Sequence, residues 1–82
     1  MSEAGHDLHA LFPDHGPALH ALKLGSASFR TLAEEHHDLQ SRIQRAEAGL
    51  AAVADDELED LKKRRLFILD GIAALIGVEE KV

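Results

Sequence analysis

Cysteine is absent from this 82-residue chain, which excludes disulfides and thiolate metal sites alike. A long apolar run is also missing. The most apolar stretch, residues 66–78, is broken by Asp70 and falls well short of the ~20 residues that a membrane span requires. Residues 1–16 carry neither the basic start nor the apolar centre of a signal peptide. Excess positive charge is lacking too. Nine Lys and Arg stand against fifteen Asp and Glu, a net charge of -6 with histidine neutral, which argues against a general binder of nucleic acid or anionic membrane. No glycine-rich phosphate loop follows a strand, and no set of side chains reads as a catalytic triad. Ser26, Ser28, Thr31 and Ser41 read as caps or exposed helix positions. The chain is therefore read as non-enzymatic, without a cofactor, soluble and cytoplasmic.

What is present is helical periodicity. Phe29, Leu32, His36, Leu39, Ile43, Ala46 and Leu50 recur at spacings of 3 and 4, and so do Leu58, Leu61, Arg65, Ile68, Ile72 and Leu75. Two such heptad stripes joined by a short connection predict an antiparallel helical hairpin of coiled-coil type. Folding the chain at the connection sets Phe29 opposite Leu75, Leu32 opposite Ile72, His36 opposite Ile68 and Leu39 opposite Arg65. Ile43 then meets Leu61 and Ala46 meets Leu58. Nearly every pair is apolar on both sides, and that agreement supports the hairpin more strongly than either stripe alone.

The chain divides into three regions. Residues 1–25 form a histidine-rich arm with one short helix, opened by Pro17 and stopped by Gly25. Leu8, Leu11 and Phe12 make an apolar patch in this arm. Residues 26–77 hold the hairpin, with helices over about 27–48 and 56–76. Ser26 or Ser28 caps the first helix and Gly49 ends it. Asp55, Asp56 and Glu57 open the second, with Asp56 and Glu59 at capping-box spacing. Gly77 stops that helix, and residues 78–82 are predicted to fray.

The second helix is too apolar for one partner. Leu66, Leu69, Ala73 and Ile76 form a further stripe, and Phe67, Gly71, Ala74 and Val78 a third. A helix apolar on all sides belongs inside a bundle. A chain of this size buries only about 60–65% of its unfolded surface, so added packing is needed. We expect a homodimer or small homo-oligomer forming a four-helix bundle. The alternative is cover from Leu8, Leu11, Phe12, Leu19 and Leu22 of the same chain. The predicted interaction surface is Leu66, Phe67, Leu69, Ala73 and Ile76, facing a second copy or an unidentified protein partner.

Two motifs have a wider resemblance. Phe29-x-x-Leu32-x-x-x-His36-x-x-Leu39-x-x-x-Ile43, then Leu61-Lys62-Lys63-x-Arg65-Leu66-x-Ile68-x-Asp70, resemble the short bacterial proteins called YdcH-like, a domain of unknown function. Leu11-Phe12-Pro13 is similar as well. The resemblance spans about residues 11–76 and implies a small, self-associating helical hairpin in a bacterial cytosol, with no activity attached. The chain departs from the family pattern at Leu69, where lysine is usual, and at Gly71, where a helix-favouring residue is usual.

The polar residues of the seam are His36 and Arg65. A lone histidine in a seam fixes register, or it acts as a pH-sensitive contact whose protonation loosens the packing. His36→Leu tests the two roles through stability and through the pH dependence of melting between about pH 5 and 7.5, and no change in either would sink both. Arg65 is expected to lay its stem beside Leu39 with its head in water. Lys62, Lys63, Arg64 and Arg65 could instead serve a nucleic-acid-associated regulator, which predicts salt-sensitive binding. Their spacing to Glu59 and Asp60 favours local charge pairs. His6 and His9 are three apart, so a weakly metal-responsive arm is a second alternative, predicting metal-dependent structure in residues 1–25.

Overall fold

The computed structural model describes residues 4–81, with side chains from Leu8 onward, and these residues form four α-helices and no strand. The helices are α1 (Ala4–Leu11), α2 (Gly16–Gly25), α3 (Ala27–Glu47) and α4 (Asp55–Lys81), with a 3-10 turn at Pro13–His15. The most extensive packing is between α3 and α4, the expected hairpin. At about 1.5 Å per residue, the 27 residues of α4 span ~40 Å and account for the 44 Å long axis of the molecule.

The ends of α3 follow from its flanking residues. Ser26 sits in extended conformation, and its Oγ accepts the Phe29 N–H at 3.1 Å, so Ser26 and not Ser28 is the cap. At the other end Gly49 adopts φ of 76°, donates its N–H to the Ala46 carbonyl at 3.2 Å, and lets the Leu50 N–H reach the Arg45 carbonyl at 2.8 Å. This pair of bonds is a Schellman motif, which satisfies two carbonyls that the helix leaves open. Leu50 consequently turns off the axis and is 72% exposed, so the first stripe ends at Ala46 rather than at Leu50.

The register of the hairpin matches the facing-pair reading to within one residue. Leu32 Cδ1 lies 3.4 Å from where a Cβ on Gly71 would stand, and Arg65 Nη1 donates to Gln40 Oε1 at 2.7 Å. The capping box at Asp56 does not form, because the helix already begins at Asp55. Asp56 Oδ1 instead accepts the N–H of Glu57 at 3.1 Å.

The larger departures lie at the two termini. The N-terminal arm holds two helices where the sequence reading has one. Leu8, Ala18, Leu19 and Leu22 are buried in a single core with Phe29, Ala33, Ile72 and Ile76. Within the predicted patch only Leu8 is buried, while Phe12 is half-buried and Leu11 is exposed. At the other end α4 runs through Gly77 to Lys81, and Gly77 has no positive φ. A helical glycine costs only about 1 kcal/mol, and in the final turn Glu80 Oε2 lies 2.6 Å from His15 Nδ1. Residues 1–3 and Val82, within the predicted arm and tail, lie outside the described residues.

Candidate functional site

The docking of α2, with α1 packed on α2 and α3, divides the apolar surface of α4. Ile68, Ile72 and Ile76 recur at four-residue intervals and point into the core, so Ile76 is core at 3% exposure and not part of an interaction surface. Leu69 is half-buried and packs against that core. Leu66 and Phe67 point away and are 61% and 80% exposed. Ala73 is exposed beside them, as are Ala74 and Val78. Of the five predicted surface residues, the structure thus brings together Leu66, Phe67 and Ala73 on one outward face and withdraws Leu69 and Ile76.

The basic run is split by helical geometry. Lys62 Nζ meets Glu47 Oε2 of α3 at 2.9 Å, and Arg65 turns into the hairpin towards Gln40. Lys63 and Arg64 remain exposed. Pairing thus runs across to α3, while Glu59 and Asp60, expected as partners along α4, form no ion pair with the run among the described residues. Four successive helical residues point about 100° apart, so they do not make one cationic stripe.

His36 is 1% exposed at the seam. It borders a cleft of about 400 Å³ with Ala10, Leu11, Gln40, Arg65 and Leu69, between α1, α3 and α4. Arg65 is half-buried here, and its Nη1 donates to Gln40 Oε1. Sequence reasoning missed this cleft because α1 supplies one wall, and α1 carries only the leucine pair Leu8 and Leu11 as a helical signal.

Among the described residues no group of three or more histidine, cysteine or carboxylate side chains gathers as a metal site. The side chain of His6, and with it the predicted pairing to His9, lies outside the described residues. No described helix is long and apolar enough to cross a membrane.

No curated protein and no solved structure matches the chain. Residues 29–76, which run from the first core residue of α3 to Ile76 of α4, match the family described as a protein of unknown function, DUF465. That stretch holds both quoted motifs and more than half of the sequence, and the chain belongs to this family, which includes the YdcH-like small bacterial proteins.

Proposed function

We propose that the chain is a small non-enzymatic interaction module that works through helix–helix contact made by the outward face of α4. One observation carries this reading. The N-terminal helices already cover the Ile72 and Ile76 side, yet Leu66 and Phe67 stay uncovered on adjacent positions of a regular helix. Adjacent large apolar side chains in water, with exposed Ala73 and Ala74 beside them, make a contiguous apolar patch of the kind that supports a contact surface. Within this reading His36 and Arg65 set the register of the hairpin that presents the face.

The test compares wild type with a Leu66→Glu, Phe67→Glu double variant. Both are exposed, so the fold should persist, as read by far-ultraviolet circular dichroism. Cross-linking of wild type at about 100 µM protein, a concentration suited to weak contacts, should yield a defined associated species, from self-association or from a protein of its host. The double variant should lose it. Equal association by a folded double variant would refute the reading. We place the module in the cytoplasm, and recovery of the chain from membrane or extracellular fractions would refute that part.

A further inference from the structure

The outward face of α4 carries charges that the isolated chain leaves unused. Lys63 and Asp70 are exposed, and neither joins an ion pair among the described residues. Leu66 and Phe67 lie midway between them. Separations of three, four and seven residues place these side chains on one side of the helix. Along α4 the order is cation, apolar pair, anion. A patch of that order is complementary to itself when a second copy is turned end for end.

Resting on the association surface proposed above, we infer that its occupant is a second copy of this chain, packed antiparallel along α4. The two-fold axis lies between Leu66 and Phe67. Each Phe67 then packs on the other copy's Leu66, and each Lys63 faces the other copy's Asp70. Two ion pairs flank one apolar centre, which is the layout of a self-complementary interface with a charged rim.

Charge selects this register over its neighbours. An axis half a heptad further on, at Asp70, sets the two Asp70 carboxylates against each other. An axis half a heptad earlier, at Lys63, sets the two Lys63 side chains against each other. Both are disfavoured, since like charges in direct opposition repel. In the inferred register Glu59 faces Ala74 and Asp60 faces Ala73, so no acidic residue of the first turns meets another. A contact of one helix on one helix falls below the ~1,200 Å² of stable interfaces, so the dimer is weak and reversible.

Sedimentation equilibrium of the full chain between about 10 µM and 1 mM, the range of weak contacts, reads the proposal directly. The wild-type mass should rise from 8.9 kDa towards twice that value. Lys63→Glu and Asp70→Lys should each weaken dimerisation about tenfold, because each turns both flanking attractions into repulsions. Mixing the two single variants should restore it, since a heterodimer pairs Glu with Lys on one side and Lys with Asp on the other. The Lys63→Glu, Asp70→Lys double variant should likewise dimerise as wild type does. Circular dichroism should be unchanged throughout, as both positions are exposed.

A wild-type mass that stays at 8.9 kDa up to about 1 mM overturns the second copy as occupant, while association with another protein is still read by the Leu66, Phe67 variant. A dimer that is lost in that variant but is not recovered by mixing the charge variants overturns this register and leaves α4 as the contact surface.

Discussion

At the scale of single residues, Ile72 and Phe67 show how burial rather than residue type sets the role of an apolar side chain. They stand five positions apart on one helix, where about 500° of rotation turns them to opposed sides. Ile72 is fully buried between α4 and the helices it packs against, and truncating it removes transfer energy and leaves a cavity. Ile72→Ala is therefore expected to lower unfolding free energy by about 2–4 kcal/mol. Phe67→Ala loses little packing in the single chain and is expected to change it by less than ~0.5 kcal/mol. Urea denaturation of both variants below about 5 µM, where weak self-association is dissociated, checks the pair. Comparable losses would mean that Phe67 is covered within the chain.

At the scale of elements, the glycines of the hairpin take two different parts. Gly49 holds φ of 76° and closes α3, a conformation that costs an L-residue about 1–2 kcal/mol. Gly77 lies within α4, has no positive φ, and a Cβ placed there meets nothing within 4 Å. Gly49→Ala should lower stability by about 1 kcal/mol, and Gly77→Ala should raise it by about 0.5–1 kcal/mol through helix propensity alone. Thermal melting of the two variants should move in opposite directions, and a shift of the same sign would contradict these assignments. The two glycines also mark what is legible in the sequence. Gly49 reads correctly as a helix end because it is a glycine at the close of the first stripe, ahead of the acidic run that opens the second helix. Gly77 reads wrongly as an end because the stripe stops there, whereas the helix runs on to Lys81, with Glu80 meeting His15, 65 residues away in the chain and outside any local pattern. The seam from Phe29 to Ala46 is legible for the same reason as Gly49, since period and burial coincide there. Periodicity names the faces of α4 but not their neighbours, so Ile76 and Phe67 look alike in sequence although one is core and the other is surface.

At the scale of the whole molecule, α1 and α2 complete the core through Leu8, Leu19 and Leu22, a placement that their spacing alone does not specify. With the core closed in this way, the net charge of the chain bears on how copies behave towards one another. The chain carries -6 at neutral pH and six histidines, and its isoelectric point is about 5.4. As the pH falls from neutral towards that isoelectric point, the net charge moves towards zero and the long-range repulsion between copies falls. The apolar pair Leu66 and Phe67 stays exposed across that range, because neither residue titrates. Solubility should therefore pass through a minimum near pH 5.4, several-fold below its value at pH 7.5. A Leu66→Glu, Phe67→Glu variant adds two carboxylates and removes the patch, so its minimum should be shallower and lie at lower pH. The protein remaining in the supernatant after equilibration across about pH 4.5–8, which brackets the isoelectric point, measures both. Wild type that stays fully soluble at pH 5.4 would show that net charge does not control association of this chain, whereas a minimum of equal depth in the variant would trace it to charge without the patch.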